Sequence, residues 1–306
     1  MKVAITGATG FVGSRLVERL HAQGDQVLVF TRNPTSAQRV FPKEAYPNVE
    51  IVAYGSTESG SWQNEIAGCD AVVNLAGESI AEGRWTTQRK QEIFQSRQLG
   101  TQKIVEAIAK ANPKPKVLVN ASAIGYYGTS ETDTFDESSS SGHDFLAEVC
   151  RAWEAEAQKV LDYGVRLVIL RFGIVLGMGG AIARMVTPFK LFAGGPIGSG
   201  RQWFSWIHRD DLVNLIIAAL NREDIQGVLN ATAPNPVRMA EFCQTMGEVM
   251  NRPSWLPVPG FAIEALLGDG AIVVLEGQKV LPQRAQAYNF EFQYPNVKQA
   301  LADILS

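Results

Sequence analysis

Cysteine is scarce in this chain. Cys69, Cys150 and Cys243 stand far apart among 306 residues, a sparse and odd count that points to reduced thiols in a cytoplasmic setting rather than a disulfide framework. Histidine is as rare: His21, His143 and His208 share no paired spacing, so no metal site is expected. Long apolar runs are missing. Stretches such as Leu212 to Leu220 fall far short of the roughly 18 residues that cross a bilayer. No membrane span is expected, and strand-like sequence from Lys2 onward argues against a signal peptide. Positive charge is not in excess either. Lys and Arg number 28 against 31 Asp and Glu, a net charge of −3, and no basic stripe exists to neutralise phosphates, so no nucleic-acid partner is expected. What remains is an ordinary globular balance, 46% hydrophobic and 19% charged, in a chain long enough for two domains or one large domain with an appendage.

The apolar pattern alternates between two periods. Lys2 to Thr6 is a short apolar run that ends at glycine, Val12 to Gln23 repeats at helical spacing, and Gln26 to Thr31 is β-branched. This is a strand–helix–strand unit. Val49–Tyr54, Ala71–Leu75, Val117–Ala121 and Arg166–Phe172 read as further buried strands, with long helical patterns near Thr86–Lys110 and Asp144–Asp162. Continuous apolar strands alternating with helices predict a doubly wound α/β fold of Rossmann type, a parallel sheet covered on both faces. After Gly177 the character changes to glycine-rich loops around one helix. Beyond Arg238 come short helices separated by Pro253, Pro257 and Pro259, then a last helix near Asn296–Leu305. The expected division is a nucleotide-binding domain over residues 1–177, with about 206–232 returning to it, and a smaller substrate lobe from 178–205 and 233–306.

The first turn carries chemistry. Thr6-Gly7-Ala8-Thr9-Gly10-Phe11-Val12-Gly13 spaces three glycines between a strand and a helix. Gly7 suits a tight turn, Gly10 lets backbone approach a pyrophosphate, and Gly13 lets the helix pack on the strand. Free N–H groups of the helix N-terminus, from Thr9 to Val12, then face the anion. Dinucleotide binding is the reading that follows. An NAD site calls for a carboxylate about 20 residues past the glycines. The second strand ends Thr31-Arg32, and no carboxylate occurs between Gln26 and Lys43. A guanidinium suits a 2′-phosphate, so NADP(H) is the expected cofactor.

Together with Asn74-Leu75-Ala76-Gly77, the glycine turn resembles the extended short-chain dehydrogenase/reductase superfamily. Asn74–Glu78, Gly83-Arg-Trp85, Ser122–Gly128, Gly194–Gln202, Trp206-Ile-His208 and Gly277–Arg284 are similar, over essentially the whole chain, to its YfcH-like branch, described as nucleoside-diphosphate-sugar epimerase-like. The resemblance implies that Leu75, Ala76 and Gly77 line the cofactor pocket. It implies that Glu92 and Arg97 lie near the cofactor and that Ser122 sits beside the reacting carbon.

Three departures stand out. The superfamily's Tyr-x-x-x-Lys acid/base pair is missing: the helix begins Phe145-Leu-Ala-Glu-Val-Cys150, and both frames, Phe145/Val149 and Leu146/Cys150, lack it. Tyr294 to Lys298 has the spacing but contains Pro295 and reads as coincidence. Arg97-Gln-Leu-Gly-Thr101 puts a cation where N-x-x-G-T is usual. Phe204-Ser205 replaces the Arg-Asp that nucleotide-sugar enzymes use to grip a diphosphate. Arg201, Trp203 and Trp206 are left to shape the substrate pocket, with Arg201 as a partial substitute and His208 ordering the turn. Ser122, Tyr126, Tyr127 and Arg97 are then the candidate catalytic groups, either phenol serving as acid/base. The expected function is an NADP(H)-dependent oxidoreductase or epimerase-like enzyme on a small organic substrate. The alternative is a non-catalytic NADP(H)-sensing protein that acts through partners.

Overall fold

The computed structural model describes residues 1–306, the side chain of Ala181 excepted. Seven strands form one parallel sheet: β1 (Lys2–Thr6), β2 (Gln26–Thr31), β3 (Val49–Ala53), β4 (Ala71–Asn74), β5 (Val117–Ala123), β6 (Arg166–Phe172) and β7 (Gly227–Ala231). Their order is β7-β6-β5-β4-β1-β2-β3. The order reverses between β1 and β4, the switch point where such sheets open a crevice for ligands. Register decides what lines that crevice. Thr6 pairs with Phe30 on one side and with Asn74 on the other, so β1, β2 and β4 end at one level and release Gly7, Thr31 and Leu75 together.

The strands run this way because they are apolar on both faces. Val3, Ile5, Val27, Val29, Val73 and Val119 face one core with α1 (Phe11–Ala22). Ala4, Leu28, Phe30, Val72 and Leu118 face the other. The second face is covered by α3 (Thr87–Lys110), through Ile104, Val105 and Ile108, and by Ala157 of α4 (Phe145–Gln158). A short α2 (Pro34–Val40) follows β2. It is capped by Asn33, whose side chain accepts from the Ser36 N–H, and opens on Pro34, a residue suited to a first turn. One polar seam crosses the apolar sheet. Thr6 Oγ1 donates to Asn74 Oδ1 at 2.6 Å, and Asn74 Nδ2 donates to Thr101 Oγ1 at 2.9 Å and Asn120 Oδ1 at 2.7 Å. These buried groups satisfy one another. They also pin the middle of α3 to the sheet, one turn beyond Arg97.

A second core lies beyond the carboxyl ends of the strands. It is built from Ile182, Val186 and Phe189 of α5 (Gly180–Lys190), Phe204, Trp206, Phe242 and Met246 of α7 (Met239–Met250), and Leu301 and Ile304 of the last helix, Val297–Leu305. Between α5 and α7, α6 (Arg209–Asn221) returns to the first core through Leu212, Leu215 and Ile216. One segment sorts differently from the sequence-based division. Gln283–Phe292 packs on the first core through Ala285, Phe290 and Phe292. The reason is the sheet edge: β7 would leave backbone carbonyls unpaired, and Arg284 reaches Val228 O at 2.8 Å and Gln226 O at 2.9 Å. No helix among the described residues is long and apolar enough to cross a membrane.

Candidate cofactor cleft and active-site cavity

The glycine turn opens a cleft of about 220 Å3 lined by Gly7, Thr9, Gly10, Phe30, Thr31, Arg32, Tyr54, Ser56, Leu75, Ala76, Gly77, Glu78 and Ser96. Gly7 has φ +67°, and a Cβ there would meet the Leu75 carbonyl carbon at 2.8 Å. A Cβ on Gly13 would fall 2.2 Å from Gly7 O, so α1 can seat on the turn only through glycine. No side chain caps α1 at Gly10, which leaves its first N–H groups toward the cleft. Phe11 and Val12 are not among the residues that line the cleft. The Phe11 ring packs against Gly177 and Gly179, and Val12 packs on the first core.

Deeper along the same crevice lies a cavity of about 360 Å3 that shares Leu75 and Gly77 with the cleft. Its walls are mostly apolar: Ile80, Leu146, Val149, Trp153, Phe172, Val175, Trp203, Ile272 and Val273 among them. Its polar groups include Arg97, Ser122, Asp144, Ser205, Glu276 and Gln278. Ser122, at the end of β5, donates to Glu154 Oε1 at 2.6 Å. Glu154 is held in turn by Arg171, Nε to Oε1 and Nη2 to Oε2, both at 2.8 Å, in a buried two-pronged pair. The Ser122 proton is therefore committed, and its oxygen lone pairs are what the hydroxyl offers the cavity. Arg97 is pinned differently. Its guanidinium lies against Gly77, stacks 5.1 Å from the Trp153 ring centroid and donates from Nη1 to Ile93 O at 3.1 Å. Burial pushes it below its ordinary value, and it pairs with no carboxylate among the described residues.

The positions where the superfamily keeps its acid/base pair are filled by apolar walls and a thiol. Leu146, Val149 and Cys150 line the cavity, and burial pushes the Cys150 thiol up to about 11. The two candidate phenols turn away from it. Tyr127 is buried, donates to Asn230 Oδ1 at 2.7 Å and accepts from Arg171 Nη1 at 2.9 Å. Its phenol is pushed up to about 12 by burial, against the pull of Arg171. The Tyr126 ring lies under the Arg171 guanidinium, 3.3 Å from its centroid. The Arg171 cation claims both rings, and the turn presents Ile124, Gly125, Gly128 and Thr129 to the cavity instead.

Other expected contacts also separate. Glu92 lies outside the cleft, exposed on α3, and takes hydrogen bonds from Gln88 and Arg89, because α3 turns Ser96 and Arg97 inward and Glu92 outward. Of the expected pocket residues, Trp203 lines the cavity. Trp206 is in the second core, bonded to Asn235 O at 3.2 Å. Arg201 is 74% exposed and sits 3.7 Å from Glu131. Phe204 packs on Phe242 at 4.3 Å, while Ser205 ties the chain to Gln278 O and Val280 N. His208 caps α6, its Nδ1 accepting from the Asp210 N–H. Sequence reasoning passed over Glu78, Tyr54, Ser96, Glu154 and Gln278. Glu78 and Gln278 stood within motifs already singled out, but only the fold shows which way they point.

The geometry agrees with what the chain resembles. The model of the NAD dependent epimerase/dehydratase family matches residues 3–231, and a domain of unknown function, DUF1731, matches residues 258–304. The Epimerase family protein SDR39U1 homolog, chloroplastic, of Arabidopsis thaliana is 54% identical over 308 residues, covering 100% of this chain and 87% of that protein. Epimerase family protein YfhF of Bacillus subtilis is 41% identical over 307 residues, covering 100% and 98%. The crystal structure of human epimerase family protein SDR39U1 (isoform 2) with NADPH superposes with a TM-score of 0.87 at 37% identity over 99% of each chain. A UDP-glucuronic acid 4-epimerase from Bacillus cereus, in complex with UDP-glucuronic acid and NAD, shares the fold with a TM-score of 0.80 at 16% identity, over 99% of this chain and 98% of that one. A parallel sheet with its glycine turn at the switch point, matched along its length by these relatives, makes this chain a member of the NAD dependent epimerase/dehydratase family, within the short-chain dehydrogenase/reductase superfamily.

Proposed function

We propose that this protein is an NADP(H)-dependent oxidoreductase acting on a small, mostly apolar carbonyl or alcohol compound. The observation that carries the reading is the continuity of the glycine-floored cleft with the apolar cavity through Leu75 and Gly77. A Cβ at Gly7 would strike the backbone of β4's exit, so glycine keeps the turn tight and leaves the uncapped start of α1 beside the cleft. Gly7, Thr9, Gly10 and the first amides of α1 would hold the pyrophosphate, and Arg32 the 2′-phosphate. When bound, a nicotinamide gives or accepts hydride. The chain's own groups orient and stabilise the substrate oxygen. In reduction Arg97 offers positive charge and N–H donors to the carbonyl oxygen and water supplies the proton of the product alcohol, while Ser122, its own proton committed to Glu154, accepts from that alcohol O–H. Glu154 and Arg171 keep Ser122 in that role.

The substrate class follows from the walls. Phe204 has gone into the second core, so the cavity lacks the arginine that grips a nucleotide sugar, and an apolar ligand loses least on entering. The test follows NADPH oxidation with a panel of apolar aldehydes, ketones and enones. On a verified substrate, Ser122→Ala and Arg97→Ala should each lower turnover at least about tenfold, equivalent to about 1.4 kcal/mol. Unchanged turnover in both variants would remove them from the mechanism. The apolar Leu146, Val149 and Cys150 wall favours the second reading, an NADP(H) sensor without catalysis; it gains if NADPH binds and no member of the panel is reduced.

A further inference from the structure

The cation assigned to a 2′-phosphate already has an anion. Arg32 donates from Nη1 to Glu78 Oε1 at 2.8 Å, and the Arg32 side chain is 68% exposed. Glu78 is its one hydrogen-bond partner among the described residues. The other Glu78 oxygen faces Arg89 Nη1 at 3.4 Å. Arg89 is anchored independently, donating to Ser79 O at 2.6 Å and Glu92 Oε2 at 3.0 Å. The Glu78 backbone is fixed too, its N–H donating to Ser96 Oγ at 3.1 Å. One carboxylate thus hangs between a fixed guanidinium behind it and a loosely held one in front. Arg32 and Glu78 line the same cleft as Gly7, Thr9, Gly10, Thr31 and Tyr54.

That arrangement changes what the end of β2 means. The second strand carries no carboxylate, yet the exit of β4 delivers one to Arg32 across the switch point. We propose that Glu78 sets the cofactor preference of this cleft by competing with the 2′-phosphate for Arg32. The inference rests on the reading that the cleft takes NADP(H). Glu78 holds Arg32 through Nη1, and a phosphate that takes the guanidinium two-pronged through the same nitrogen must share or displace that bond. When the phosphate docks, Glu78 either withdraws onto Arg89 or remains as a like charge beside it, and both outcomes weaken NADP(H) binding. A 2′-hydroxyl, in contrast, has a proton that a carboxylate can accept, so the same residue supports NAD(H). Glu78 acts here as a residue that positions Arg32 and narrows the gap between the two cofactors.

Because an exposed ion pair is modest in strength, the expected effect is modest and opposite for the two cofactors. Calorimetric titration of the full chain with NADPH and with NADH reads it. Glu78→Gln should bind NADPH about three- to tenfold more tightly and NADH equally or up to about threefold more weakly. In an Arg32→Ala background the same substitution should leave NADPH affinity within about twofold, since the competition has lost its object. A Glu78→Gln protein that binds NADPH equally or more weakly, or that shifts both cofactors by the same factor, would overturn the proposal. So would an equal gain in NADPH affinity with Arg32 already removed. Wild-type protein that binds neither cofactor would instead overturn the reading on which the proposal stands, and the proposal with it.

Discussion

Arg171 is the side chain around which the floor of the cavity is organised. It holds Glu154 with two bonds, donates to the Tyr127 hydroxyl oxygen and lies over Tyr126. Tyr127→Phe would leave Arg171 Nη1 and Asn230 Oδ1 without that partner inside the protein. The expected cost is about 1–3 kcal/mol of stability, read as a lower midpoint in urea unfolding. Turnover at a temperature where the variant stays folded should remain within a few-fold of wild type, and the same holds for Tyr126→Phe, because neither phenol lines the cavity. A tenfold loss in either would restore that tyrosine as an acid/base. Sequence alone brought both phenols near Ser122, correctly in chain distance. It could not show that a buried cation from β6 would claim them.

At the scale of elements, α6 depends on a titratable cap. His208 Nδ1 accepts from the Asp210 N–H at 3.1 Å, and the ring lies tilted against Tyr294, centroids 3.9 Å apart. Burial pushes the imidazole below its ordinary value of 6.5, against the pull of Asp210 and Asp303. A folded-state value below the unfolded one means that the stability tied to neutral His208 is complete above about pH 6.5 and is lost as pH falls through the folded value. Protonation at Nδ1 would also remove the cap's acceptor. Thermal midpoints from pH 8 to pH 5 should therefore fall further in wild type than in His208→Asn, since asparagine caps without titrating in that range. Parallel profiles would show that the cap is not a pH-sensitive element. In the sequence the stretch Leu212 to Leu220 stood out only as an apolar run too short for a bilayer. α2 carried its own signal in Asn33-Pro34, a cap followed by a first-turn proline, too short for its periodicity to show.

For the whole molecule, the cleft joins two cores that meet around the cavity. Arg184 reaches Ala81 O at 2.9 Å, Arg84 reaches Ala265 O at 2.8 Å and Lys90 pairs with Asp269 at 2.6 Å. These bridges connect the loop after β4 and the start of α3 with segments on the far side. A ligand bound between them stabilises the folded state by mass action, by about 2.7 kcal/mol at a hundredfold excess over Kd. NADPH should accordingly raise the thermal midpoint in a concentration-dependent manner. Nucleoside-diphosphate sugars added to the NADPH-saturated protein should give no further rise. A shift that saturates at micromolar sugar would contradict the apolar character assigned to the cavity.

What the sequence by itself determined is local. A strand, three glycines and a helix dictate the tight turn at the switch point, because the clash that excludes any side chain at Gly13 arises within that one turn. Continuous apolar runs likewise specify a two-sided parallel sheet. What only the tertiary structure decided is which side chains face each other across the crevice. Glu78 meets Arg32 because register brings the ends of β2 and β4 level on either side of β1. Trp203 lines the cavity while Trp206 enters a core, and Glu92 faces solvent while Arg97 turns inward on the same helix. Those outcomes depend on which surfaces pack against which, and residues distant in the chain determine that together.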